Sequence, residues 1–219
     1  MNKSHLLLML TMFSTPLIGA EPTVSLTVGE GFANPIGFHD SSPVFSWKLP
    51  GGVAKQSAYR IEVRGDDLLW DSGWIESVQS VFVPYGGKPL VSGQQATWRV
   101  DYRDETGTPS GWSKPASLEL GLLSAKDWSA KWIRPAGKLP ELESASWLRR
   151  EFPIKGEVSS ARLHVTARGL FEVYLNGSKV GRDTFAPGWT SYANRIDTLT
   201  YDVTSSLKTG PNGECPLNR

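Results

Sequence analysis

The sequence has a single cysteine, Cys215, close to the end of its 219 residues. One thiol excludes a disulfide framework and the paired Cys spacing of structural zinc sites. Histidine is almost as scarce: His5 lies in the leading segment, and His39 and His164 stand far apart with no cysteine near either, a poor donor set for a metal. No serine has the nucleophile-elbow spacing, and no glycine-rich loop opens a helix to cradle phosphate. No cofactor is expected. Charge of one sign is missing as well. Lys and Arg number 23 against 22 Asp and Glu, so removing Lys3 with the first 20 residues leaves a balance of zero. Without a basic block there is no electrostatic argument for nucleic acid or an anionic membrane as partner.

Long apolar runs are also absent. Leu6 to Phe13 is the longest, preceded by Lys3 and followed by Leu17-Ile18-Gly19-Ala20. It is too short to cross a hydrocarbon layer of about 30 Å, so residues 1–20 read as a secretory signal rather than an anchor. The expectation is an exported chain, periplasmic or extracellular, with a mature start near Glu21.

What the sequence does have is aromatic residues and turn formers: nine Trp, 22 Gly and 15 Pro, with 39% hydrophobic residues. These fit a globular, turn-rich β protein of one or two domains. Alternation supports this. In "VFSWKL", Phe45, Trp47 and Leu49 share a face; in "AYRIEVRG", Tyr59, Ile61 and Val63 do; in "TWRVDYRD", Trp98, Val100 and Tyr102 do. Polar residues occupy the alternate positions, as half-buried antiparallel strands require. Residues 21–121 therefore read as one antiparallel β-sandwich. Residues 122–146 lose the alternation and read as a connector, with Trp128 and Trp132 as anchors. Alternation resumes over 147–219, with Leu163, Val165 and Ala167 on one face and Phe171, Val173 and Leu175 on another. Asn176-Gly177 between two such runs signals a tight hairpin. The fold class is all-β, two antiparallel sandwich modules.

Exported β-rich chains are often carbohydrate enzymes, which need two carboxylates facing each other across a sugar. Asp66-Asp67, Asp104-Glu105 and Glu141 with Glu143 are the close pairs. Neighbouring strand residues point to opposite faces, and all three pairs sit among turn residues, so they read as solvated turns. No catalytic residues are expected. Trp47 and Trp98 read as core, and Trp112 as a ring capping a sheet edge. Trp189 differs, because "APGWTSYANR" places it in a turn-rich segment beside Tyr192, Asn194 and Arg195. A ring, an amide and a guanidinium together could grip a sugar, and loop packing is the plainer reading of the same residues.

Several motifs occur in order: "DWSAKWI", "LRREFPI", "ARLHVTARGLFEVYLNGSKVG", "APGWTSYANR" and "YDVTSSLKTGPN". Together they resemble the N-terminal region of bacterial α-L-rhamnosidases. Upstream, "NPIGFHDSSPVFSWKL" and "GWSKPASLELGLL" resemble the fibronectin-type-III-like module that precedes it in those enzymes. The resemblance implies a jelly-roll-like second module. It also implies that inverting hydrolysis of terminal α-L-rhamnose belongs to a helical toroid further along such chains. The expectation is thus a non-catalytic N-terminal fragment of a secreted α-L-rhamnosidase, with rhamnose-containing glycans as partners through the family. A stand-alone carbohydrate-binding or structural β-sandwich protein is the alternative. At the end, "GECPLNR" departs from the family pattern: Gly213, Glu214, Cys215 and Pro216 are not expected to form an apolar strand. The second module is then expected to be truncated, with an unpaired edge open to association with another chain.

Overall fold

The structure, a computed structural model, describes residues 22–135 and 146–218. The expected signal, Glu141 and Glu143 lie outside the described residues. Nine strands form the first module: β1 Val24–Val28, β2 Ile36–Phe38, β3 Val44–Lys48, β4 Gln56–Arg64, β5 Leu68–Asp71, β6 Ile75–Glu76, β7 Val83–Pro84, β8 Gln95–Asp104 and β9 Ala116–Leu120. One sheet runs β1-β3-β7; the other runs β2-β9-β8-β4-β5, with β6 also on β4. All pairings are antiparallel except β2 with β9, which is parallel.

The alternating faces meet between these sheets. Phe45, Trp47, Tyr59, Ile61, Val63, Trp98, Val100, Leu118 and Leu120 are buried in one core. Polar alternates face outward and pair: Glu62 accepts from Arg64 and Arg99, and Arg60 donates to Asp71. Trp112 lies on this outer surface beneath two guanidinium groups, Arg99 at 4.4 Å and Arg60 at 5.5 Å. Arginine over indole is a favourable arrangement for a flat cation whose charge is already partly balanced. Gln56 closes one end of the core, accepting from the Trp47 indole at 3.0 Å and donating to the Gln79 carbonyl at 2.6 Å.

The second module contains β10 Ser146–Trp147, β11 Arg150–Ile154, β12 Arg162–Val165, β13 Phe171–Leu175, β14 Ser178–Lys179, β15 Leu199–Asp202 and β16 Gly210–Asn218. β12 pairs with β15; the larger sheet runs β10-β16-β13-β14, with β11 also on β16. Phe171, Val173 and Leu175 point inward with Ala167, Val180, Ala186 and Val203. Leu175 pairs with Ser178 across the two-residue turn, and Asn176 and Gly177 have φ of 51° and 85°. Positive φ at both positions is the type I′ geometry that matches strand twist, which explains why Asn-Gly stands there.

The tail corrects one expectation. Gly210–Asn218 is a strand, paired with β10 and β11 on one side and β13 on the other, so it is no unpaired edge. The physical reason lies in register. Pro211 faces Pro153, a pair in which neither nitrogen needs to donate. Strand alternation then turns the Pro216 nitrogen toward β10 and β11, at the interruption between Trp147 and Arg150. Both prolines thus sit where the ladder asks for no N–H. Asn212, buried within the strand, accepts from Lys208 N and donates to the Lys208 and Gly210 carbonyls.

Where the modules meet, three contacts converge. Glu119 of β9 accepts two bonds from Arg162 of β12, at 2.6 and 2.8 Å, and one from Gln95 at 3.1 Å. Gly37 of β2 lies flush on Thr200 of β15: a Cβ there would come within 2.6 Å of the threonine side chain. Thr200 Oγ1 is 3.0 Å from His164 Nδ1, and the Trp128 ring packs edge-on to His164 at 6.3 Å. Trp128 reaches this place because Asp127, just before it, accepts from Ser92 of the first module at 2.6 Å.

Candidate functional site

The segment between β14 and β15 carries the residues singled out in the sequence, and it does bring them together. Its entry is held to the sheet, since Phe171 N donates to the Ala186 carbonyl at 2.8 Å. A cis Ala186-Pro187 bond and Gly188 at φ 101° turn the chain outward. A short turn follows, with Asn194 N and Arg195 N both donating to the Ser191 carbonyl and Thr190 Oγ1 donating to the Arg195 carbonyl. Trp189 projects from this turn with 88% of its surface exposed, its ring 5.7 Å from that of Tyr192.

Most polar groups of the cluster already have partners. The Tyr192 hydroxyl accepts from Gly169 N at 2.8 Å, Asn194 Nδ2 donates to Ser191 Oγ at 3.2 Å, and Arg195 pairs with Asp197 at 3.0 Å. The Arg195 pair is exposed, so it restrains the guanidinium only weakly. What the loop presents is therefore an exposed ring on a hydrogen-bonded turn, with a solvated guanidinium beside it. Phe185, 77% exposed, extends the apolar surface upstream. Across the neighbouring 166–170 turn, Arg168 lies 5.3 Å from the Trp132 ring.

The acids behave as turn residues. Asp104 caps its own turn, accepting from Thr106 N and Thr108 N, and those bonds hold its carboxyl below the usual range, led by the Thr106 side chain. Asp66 and Asp67 are exposed between β4 and β5. Asp101 is the exception: burial raises its pKa, against the bond it accepts from Ser110 Oγ at 3.0 Å. Among the described residues it has no carboxylate partner suited to sugar hydrolysis, because the acids near it on the outer face, Glu62 and Asp71, are committed to arginines. Burial lowers the His164 pKa, so the ring is neutral at pH 7. No cluster of three metal-ligating side chains occurs among the described residues.

Sequence reasoning passed over a second surface. On the outer face of the larger second-module sheet lies an open depression of about 680 Å³, lined by Trp147, Arg149, Glu151, Tyr174 and Asn176 among others. The Trp147 and Tyr174 rings are 6.2 Å apart, and the tyrosine hydroxyl donates to Glu172. Alternation in "WLRREFPI" would have put Trp147, Arg149 and Glu151 on one face, and that was the available signal.

Two family models match this chain. Residues 23–124 match the Rha78A-like, N-terminal immunoglobulin domain, and residues 156–213 match the alpha-L-rhamnosidase N-terminal domain. The first module, anticipated as fibronectin-type-III-like, is thus of immunoglobulin type, a closely comparable sandwich. An α-L-rhamnosidase of Formosa agariphila is 45% identical over 85% of this chain and 22% of its own length. One from Alteromonas sp. is 42% identical over 89% of this chain and 23% of its own. Among solved structures, the α-L-rhamnosidase from Dictyoglumus thermophilum matches at 29% identity and a TM-score of 0.83, covering 91% of this chain and 25% of that one. The Aspergillus terreus enzyme matches at 34% identity and a TM-score of 0.75, covering 88% and 24%. The chain therefore spans a quarter or less of the length of these relatives.

Proposed function

This chain belongs to the α-L-rhamnosidase family as its N-terminal region, and from that premise we propose that it is the non-catalytic N-terminal part of an exported α-L-rhamnosidase. Its two sandwiches present a fixed scaffold to the rest of such an enzyme, whose substrates are rhamnose-containing glycans. The observation that carries this reading is chemical. Among the described residues Asp66, Asp67 and Asp104 lie in turns, Glu62, Asp71 and Glu119 are committed to arginines, and the buried Asp101 is bonded to Ser110, whereas hydrolysis of a glycoside needs two free, opposed carboxyl groups. Incubating the purified 219-residue chain with an aryl α-L-rhamnoside is expected to release no aglycone above a protein-free blank. Turnover that copurifies with the chain and survives a second chromatographic step would refute the reading.

The exposed Trp189 ring favours one further role, direct contact with glycan. A flat ring beside a solvated guanidinium suits a sugar face and its hydroxyls. Calorimetric titration with rhamnose is expected to show binding by the parent chain, and Trp189→Ala is expected to weaken it roughly tenfold, equivalent to about 1.4 kcal/mol. Absence of heat in the parent would end the idea. Equal heat in both proteins would keep binding and clear this loop of it.

A further inference from the structure

The contacts between the sandwiches point beyond two beads on a string. We infer that the joint is locked, so that both modules move and unfold as one body, with the Glu119–Arg162 pair as the bolt.

Glu119 is only 8% exposed and lies in a strand, where a carboxylate is costly to bury without hydrogen-bond donors. Gln95 from its own module supplies one. The other two come from Arg162 of the second module, in a two-bond grip that fixes orientation as well as distance. The guanidinium is itself held from behind by Asp202 at 3.1 Å and the Ala161 carbonyl at 3.1 Å. Parting the modules would therefore break a two-bond, charge-assisted contact whose carboxylate and guanidinium are each held in place by their own module.

Shape closes the remaining freedom. Gly37 leaves no space above Thr200, so β2 and β15 touch through backbone and side chain and cannot slide past each other. The neutral His164 ring, fastened to Thr200 and covered by Trp128, fills the rest of the joint. Charged or titratable groups facing His164 are Glu119 and Arg162, which act on its charge in opposite senses. The solved Dictyoglumus thermophilum enzyme superimposes on 91% of this chain at a TM-score of 0.83, which requires both modules in one relative placement.

The test is urea unfolding of the full chain with amide hydrogen exchange read separately in β4 and β8 and in β13 and β16. In the parent, both pairs of strands are expected to lose protection at one midpoint. Glu119→Gln, which keeps the shape and removes the charge, is expected to separate the two midpoints. Arg162→Ala should do the same, and the double variant should separate them no further than either single change. Asp202→Asn, which leaves the Glu119 grip in place, should keep the midpoints together. Separate midpoints in the parent, coincident midpoints in Glu119→Gln, or additive effects in the double variant would each overturn the lock. If Arg162→Ala fails to fold, Glu119→Gln alone decides.

Discussion

Replacing Trp98 with alanine is expected to lower unfolding stability by about 3–5 kcal/mol, a large share of the ~5–15 kcal/mol that holds a domain together. Trp98 sits on β8, a central strand of its sheet, and 1% of it is exposed. Its ring packs on Phe45 of the opposite sheet with centroids 4.4 Å apart and planes 35° from parallel. It therefore joins both layers of the first module, and alanine would leave a void that strands pinned on both sides cannot collapse to fill. The indole nitrogen has no hydrogen-bond partner among the described residues, so the ring is held by packing alone. This contrasts with Trp47, whose nitrogen donates to Gln56. Trp98→Phe is accordingly expected to cost far less, about 1 kcal/mol, since removing an unmatched buried donor offsets part of the lost area. Urea midpoints at unchanged m-value measure both. Equal losses for phenylalanine and alanine would show that the nitrogen is bonded in solution and that the pairing around it differs.

The part of the fold that was legible follows from one physical fact, that an antiparallel strand buried on one face must alternate. Phe45 and Trp47, Tyr59, Ile61 and Val63, and Trp98, Val100 and Tyr102 are all buried, as their period required. Asn176-Gly177 was legible because few other residues accept positive φ twice in succession. The joint was not. Glu119 in "SLEL" looks like any polar alternate, and its partner Arg162 lies 43 residues away on a strand of equally ordinary pattern. Gly37 in "PIGFHD" reads as loop punctuation, because nothing local reveals that Thr200 will lie against it. For the Trp189 cluster the neighbours were legible and their commitments were not. Turn composition placed Tyr192 beside Trp189, but its bond to Gly169 N depends on a turn from another part of the module. Long-range pairing of polar groups leaves no period in a sequence, and both surprises were of that kind.

The tail shows the same principle at its largest, and Asn212 is where it can be tested. Asn212→Leu is expected to destabilise the second module by about 2–4 kcal/mol, although leucine is apolar and of similar size. Asn212 is 3% exposed, on the inward face opposite Phe152, a place where pattern alone would put an apolar side chain. Its amide makes four bonds. It donates to the Lys208 and Gly210 carbonyls and accepts from Lys208 N and from Asn176 Nδ2. Asn176 in turn donates to the Ser206 carbonyl and accepts from Gly213 N, so the hairpin turn and β16 are tied through one amide pair. Leucine would keep the volume and leave those groups without partners, each worth about 1 kcal/mol or more when stripped of a bond. Thermal unfolding, with hydrogen exchange in β13 and β16, reads the loss. If volume rather than bonding held the strand, Asn212→Leu would match the parent and Asn212→Ala alone would fail. If bonding holds it, leucine and alanine should both release β16, and with it the middle of the sheet, because β10, β11 and β13 all pair to that one strand.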